Sequence, residues 1–256
     1  MRTRLGIAGA LWGVLAMATA AEAADLPVAP APVYLPLAFT WTGFYLGGNI
    51  GGAWARDQWS ESQFGMNLSV GASGGHFIGG GELGFNYQIG TFVIGIDGDF
   101  DWSGNNPNAT GNQVFIPAIA QQFQIVSTNK WVATAAARFG FAVGHVLLYS
   151  KAGGGWVGNS GLVVNDLTTG ASIGGFNSGA NAGWLVGGGV EWAVTDNWTV
   201  KLEYDYLGLK GQSFVIPPTS PFLVGDTFAN SPHNLQMAKV GVNYLFNWGG
   251  PVVARY

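Results

Sequence analysis

Along most of this chain apolar and polar side chains trade places at every second residue. The clearest stretch is "NWTVKLEYDYL", in which Trp198, Val200, Leu202, Tyr204 and Tyr206 alternate with Thr199, Lys201, Glu203 and Asp205. Side chains two apart share a face of a β-strand, so such a segment has one greasy face and one charged face. "FVIGIDGDFDW" repeats the pattern, with Phe92, Ile94, Ile96, Phe100 and Trp102 against Asp97, Asp99 and Asp101. "GFYLGGNIGGAW" sets Phe44, Leu46, Ile50 and Trp54 against Asn49, and "HFIGGGELGFNYQ" sets Phe77, Leu83, Phe85 and Tyr87 against Glu82, Asn86 and Gln88. Trp131, Phe139 and Phe141 oppose Thr134 and Arg138 in "KWVATAAARFGF". In "AGWLVGGGVEW" Trp184, Val186, Val190 and Trp192 oppose Glu191, and in "AKVGVNYLF" Val240, Val242, Tyr244 and Phe246 oppose Lys239 and Asn243. "HVLLYSKAGGGW" is less clean, because Leu147 and Tyr149 share a face with Lys151, opposite Leu148 and Trp156. Eight strands are predicted, and no helical period competes with them.

The connections alternate in length. Residues 89–91, 143–145 and 195–197 read as tight turns, whereas residues 56–75, 103–127, 158–180 and 210–232 read as long polar loops rich in Gly, Asn and Ser. Tight turns at one end and long loops at the other make an up-and-down antiparallel meander.

Which face looks inward is decided by the aromatic residues. In a barrel soluble in water the charged face would lie outside. Yet Phe44, Tyr87, Phe92, Phe141, Trp192, Trp198 and Phe246 fall at the turn ends of the apolar face, and Trp54, Phe77, Trp102, Trp131, Trp156, Trp184 and Tyr206 at its loop ends. Two aromatic rings around an aliphatic band are what the two membrane interfaces select. From Phe44 to Trp54, a strand tilted near 40° spans roughly 25 Å, the height of an outer-membrane apolar band. The predicted fold is therefore all-β, an eight-stranded antiparallel up-and-down transmembrane β-barrel. Its inward face carries Glu82, Asp97, Asp99, Asp101, Arg138, Lys151, Glu191, Lys201, Glu203, Asp205 and Lys239 as a lumen charge network. Inward glycines such as Gly47, Gly51, Gly95, Gly187 and Gly189 leave room for the long cations to reach carboxylates.

Composition agrees: of 256 residues only 9% are charged while aromatics make up 14%, far from the ~25% charged of soluble domains. Residues 1–23 read as a secretory signal, with Arg2 and Arg4 before an apolar run and Ala21-Glu22-Ala23 as the cleavage pattern, leaving a mature chain from Ala24. Residues 24–40, holding Pro27, Pro30, Pro32 and Pro36, form a Pro-rich linker, followed by the barrel over 41–246 and a tail over 247–256. Cysteine is absent, which removes disulfides and thiolate metal sites. A net charge of −4 without a Lys/Arg run excludes a nucleic-acid surface.

With "FTWTGFYLGGNIGGAW" opening the first strand, "LLYSKAGGGW" in the fifth and "VGVNYLF" in the last, residues 39–256 resemble the small outer-membrane β-barrel family of alphaproteobacteria, similar in fold to the OmpA transmembrane domain. The resemblance implies a porin-like surface antigen without enzymatic activity. It also implies insertion by the barrel assembly machinery, read from an aromatic at the end of the last strand. Here "NWGGPVVARY" follows Phe246, so either Phe246 or Tyr256 supplies the assembly signal; Phe246 is favoured, since Gly249, Gly250 and Pro251 break a strand.

Other motifs carry less. The aspartates Asp97, Asp99 and Asp101 begin like a calcium loop, but Trp102 and Asn108 stand where its glycine and glutamate belong. "GGGELG" matches a dinucleotide-binding string without a following helix. His76 near Ser73 and His233 near Ser231 lack an orienting third group, so no catalytic triad is read. No cofactor or metal is expected, and the sequence carries no signal for an oligomeric state. Expected partners are outer-membrane lipid and lipopolysaccharide. Three functions remain: a structural, surface-exposed barrel, then a narrow channel for ions or small solutes, then a loop-based adhesin or hydrolase.

Overall fold

A computed structural model of the chain describes residues 39–61, 67–70, 75–104, 112–116, 120–176, 179–211, 213–215, 225, 227–230 and 233–247. The expected signal segment, residues 24–38 of the linker, residues 248–256 of the tail, Ser73 and Ser231 lie outside the described residues.

Eight long strands form the wall: β1 (Gly43–Glu61), β2 (His76–Ile89), β3 (Phe92–Ser103), β4 (Gln121–Val143), β5 (Val146–Asp166), β6 (Gly179–Ala193), β7 (Trp198–Leu209) and β8 (His233–Asn247). Each pairs antiparallel with its sequence neighbours, and β1 pairs with both β2 and β8, so the sheet closes. Closure removes the open edges that a strand in lipid could not satisfy. The fold class is the one the alternation predicts.

The register fixes the shape. A walk around the wall from Phe44 through Phe85, Ile96, Ala137, Ala152, Val186, Tyr206 and Gln236 returns to β1 at Trp54, ten residues farther along. With strands ~4.8 Å apart and a rise of ~3.3 Å per residue, eight strands with this stagger tilt ~41° and enclose a backbone cylinder of ~8 Å radius. That is just wide enough for side chains to fill.

The facing follows parity. Ile96 is 64% exposed and Asp97 beside it only 6%. The outward positions of all eight strands, from Phe44 to Phe246, form an exposed apolar belt. At one end Gly90 and Gly144 take the left-handed backbone (φ of 62° and 57°) that two-residue hairpins require.

One expectation is corrected. Much of what reads as loop is strand: β1 runs to Glu61, β4 starts at Gln121 and β5 continues to Asp166, with short strands Asn67–Val70, Asn112–Ile116, Ser172–Phe176, Ser213–Val215 and Thr227–Asn230 beside the extensions. Backbone pairing holds these segments beyond the apolar belt, where no alternation of apolar and polar residues marks them. At the end of the expected linker, Phe39 and Thr40 contact the barrel. Phe39 stacks on His145 with ring centres 4.8 Å apart, and the Thr40 hydroxyl donates to Gln88 Oε1 at 3.4 Å.

Candidate functional site

Among the described residues, ionisable side chains concentrate in the lumen, which is built in three layers. Nearest the tight turns lies an apolar layer of Trp41, Val93, Ala142, Leu147, Tyr149 and Ala193, with Phe39 packed against it. Trp41 comes from the segment before β1 and closes the end like a cork. Its amide donates to Gln88 Oε1 at 2.8 Å, and its indole N–H to the Gly144 carbonyl at 3.3 Å. Towards the long loops a second apolar layer holds Ala53, Ile78, Val132, Ala136, Val157, Leu185, Leu207, Leu209, Leu235 and Met237.

Between them sits the charge. All eleven residues named from the sequence are buried: Glu82, Asp97, Asp99, Asp101, Arg138, Lys151, Glu191, Lys201, Glu203, Asp205 and Lys239. Three lysines from three strands converge on two carboxylates. Lys151 Nζ is 3.1 Å from Asp99 and 2.9 Å from Glu203. Lys239 Nζ is 3.2 Å from each of the same two, and Lys201 lies 3.9 Å from Asp99 and 3.2 Å from Glu203. The remaining carboxylates ring this centre. Lys201 bonds Glu82. Asp97 is 3.6 Å and Asp205 3.4 Å from Lys151, and Asp101 is 3.5 Å from Lys239.

Arg138 and Glu191 form a separate pair. Glu191 also accepts from the Thr199 hydroxyl at 2.5 Å and from Asn243 Nδ2 at 3.1 Å. Tyr149 bridges the two groups by donating to Glu203 at 2.6 Å while lying under the Arg138 guanidinium. Burying ions in this way is tolerable only where each has a partner. Close approach depends on missing side chains. A Cβ at Gly187 would fall 2.0 Å from Asp205 Oδ1, and one at Gly241 2.9 Å from Lys201 Cε. The glycines thus make room for carboxylates as well as cations.

The sequence reading named every charge of this layer and placed Asn49, Thr134, Tyr149, Thr199 and Asn243 on the same face, without giving these neutral residues a part in the network; Tyr45 it did not name. Tyr45, Asn49, Thr134, Tyr149, Thr199 and Asn243 all hydrogen-bond within the layer. Each stands at the parity of its strand's inward face, and the same parity picks out Tyr45, two residues before Gly47 on β1. Trp41 lies outside any strand and carries no such signal.

Glu82, Asp97 and Asp99 bring carboxylate oxygens within 4.8 Å of one another, a spacing that suits a metal ion. Lysine ammoniums face all three, so the cationic partner there is part of the chain. The histidines do not join the site: His76 and His233 open β2 and β8, and His145 lies in a turn.

Residues 10–246 match the family described as outer membrane protein beta-barrel domain. The chain is 31% identical over 241 residues to the 31 kDa outer-membrane immunogenic protein of Brucella melitensis, covering 90% of this chain and 95% of that one. It is 29% identical to the 22 kDa outer membrane protein of Rhizobium leguminosarum, covering 75% of this chain and 72% of that one. Among solved structures, the outer membrane protein OprG from Pseudomonas aeruginosa aligns with a TM-score of 0.45 at 10% identity, over 82% of this chain and 99% of that chain. The chain belongs to the outer membrane β-barrel family, and it is an outer-membrane protein.

Proposed function

We propose that this member of the family is a closed, non-catalytic barrel that contributes to the structure of the outer membrane and displays its loops at the cell surface. One observation carries the reading: the charged layer lies between two apolar layers, one closed by Trp41 and Leu147 and the other by Leu185, Leu207, Leu235 and Met237. An ion crossing the lumen would have to shed its water at each layer and displace a lysine or carboxylate between them, which is costly in so narrow a space. The Brucella melitensis relative bears the name outer-membrane immunogenic protein. The same role here falls to the loop end, where the β1, β4 and β5 extensions rise past the apolar belt. Phe246, the last outward aromatic of β8, is the residue through which the assembly machinery would recognise the chain.

Purified protein in a planar bilayer tests the reading. No steady conductance is expected. Long-lived open steps from most single molecules would overturn it in favour of a narrow channel.

A further inference from the structure

The outer wall is not evenly covered. Across β5, β6 and β7, at the loop end of the lipid-facing surface, lies a groove of about 540 Å³ bordered by Gly153, Gly183, Trp184, Gly208 and Lys210. Its volume falls in the ~300–1,000 Å³ range of small-molecule sites. Three features shape it. Gly208, at an outward position of β7, removes a side chain that would thicken the wall there. The exposed Trp184 indole is laid flat on β7, so that a Cβ at Gly208 would fall 2.4 Å from its Cε2. Lys210 stands exposed just past the end of β7, its carbonyl held by Asn181 Nδ2 at 3.1 Å.

The same arrangement recurs two strands away. Trp131 lies on Gly158 of the neighbouring strand, where a Cβ would meet its Cε2 at 2.1 Å, and the exposed Lys130 precedes it. Tryptophan settles at the headgroup level of a bilayer, and a lysine one step beyond it stands where lipid phosphates are. The two ends of the barrel differ in this respect. Among the described residues, the turn end carries no lysine or arginine, and its exposed charge is Asp196.

We infer that the groove is a binding site for a net-anionic, phosphate-bearing lipid of the loop-side leaflet, with an acyl chain lying along Gly153, Gly183 and Trp184 and the phosphate meeting the Lys210 ammonium. Charge complementarity at the rim and continuity with the apolar belt select the occupant: lipid is what covers this surface, and the lysine decides which lipid. The inference holds whether or not the lumen conducts.

The chain has no cysteine, so a single Ala182→Cys variant, bearing a fluorophore on the outward face beside Trp184, reports on the groove. It is placed in phosphatidylcholine vesicles containing either brominated phosphatidylglycerol or brominated phosphatidylcholine at matched mole fraction. Quenching by the anionic lipid should be half-maximal at a roughly fivefold lower mole fraction, the equivalent of the ~1 kcal/mol that one surface lysine contributes. Lys210→Gln should bring the ratio to one, and a label at Ile96→Cys, in mid-belt, should show no preference with or without Lys210. If labelling at Ala182 blocks insertion, Val186→Cys, farther along the same outward face, carries the fluorophore. Equal quenching by both lipids at the groove, or a preference that survives Lys210→Gln in correctly folded protein, would overturn the inference.

Discussion

The guanidinium carbon of Arg138 lies 3.6 Å from the centre of the Tyr149 ring. The same guanidinium bonds Glu191, and the tyrosine hydroxyl donates to Glu203 at 2.6 Å. Arg138 therefore joins the charged layer to the apolar layer beneath it, stacking on one and pairing with the other.

Two kinds of replacement separate those contributions. Arg138→Met keeps the bulk but leaves Glu191 buried without its cation, which should cost about 3 to 5 kcal/mol of folding stability. Arg138→Lys keeps the charge yet loses the planar stack and the fork of donors, so it should fall between the wild type and Met. Urea-driven unfolding in lipid vesicles, followed by the heat-shifted migration of the folded barrel, measures both. A lysine variant as stable as the wild type would show that the stack on Tyr149 contributes nothing.

Seven carboxyl groups share the lumen with four cations, so the acidic groups outnumber their partners. Asp97 is the least well held of the seven: it has Lys151 at 3.6 Å, and neither of its oxygens accepts a hydrogen bond. Asp97→Asn should thus change stability by no more than about 1 kcal/mol, in either direction. Lys239→Met deepens the imbalance and strips a partner from Asp99, Asp101, Glu203 and Asp205 together. Its cost should reach about 3 to 5 kcal/mol. The reverse ranking would mean that the shortage of cations is not what limits this layer.

The assignment of faces is open to direct measurement at two adjacent positions. A fluorophore on Ile96→Cys should be quenched by a lipid-soluble agent and one on Asp97→Cys shielded from it, since the first side chain is 64% exposed on the belt and the second only 6%. Ile96→Arg, near mid-belt, should cost about 2 to 4 kcal/mol in bilayers. Equal quenching at the two sites would turn the barrel inside out.

The rule of alternation reached as far as the membrane does. It placed Phe92 to Trp102 on the correct face because lipid outside and charge inside leave opposite marks on neighbouring residues. It could not see the closing layers. Leu147 and Leu207 point inward, yet leucine is also what the lipid face uses, so an inward leucine reads only as a flaw in the pattern. The upper parts of β4 and β5 were lost for another reason. From Gln121 to Gln124, and around Asp166, the strands stand beyond the belt, and their order rests on backbone pairing that leaves no trace in side-chain polarity.

One such extension ends in a turn with a titratable anchor. Asp166 accepts from the Thr168 amide at 2.8 Å and from the Thr169 amide at 3.3 Å, and Gly170 then takes φ of 76°. Burial acts to raise its pKa, but the bonds from Thr169 and Thr168 outweigh it and hold the carboxyl below the usual range. A group depressed in the folded state stabilises the fold above its unfolded pKa and loses that contribution as pH falls through the folded one. The turn should therefore stay ordered at neutral pH and loosen only in strong acid. Amide exchange at Thr168 and Thr169 reads this directly, and Asp166→Ala should speed it at pH 7. Exchange that is already fast at neutral pH in the wild type would remove Asp166 as the anchor.

The two apolar layers act in series, which makes a prediction that neither layer makes alone. Trp41→Ala removes the cork at the turn end and should cost about 3 to 5 kcal/mol, as large aromatic deletions from packed sites do. It should leave the barrel electrically silent, because Leu185, Leu207, Leu235 and Met237 still close the other end. Leu207→Ser with Leu235→Ser opens that end but leaves Trp41 in place, hydrogen-bonded to Gln88 and Gly144, and should be silent too. Only the combination admits water from both sides to the lysines and carboxylates, so only there should brief ion steps occur in a planar bilayer, with cations favoured by the excess of acidic groups. Conductance from Trp41→Ala alone would show that the loop-side layer is no barrier, and the lumen would then be a channel held shut by a single residue.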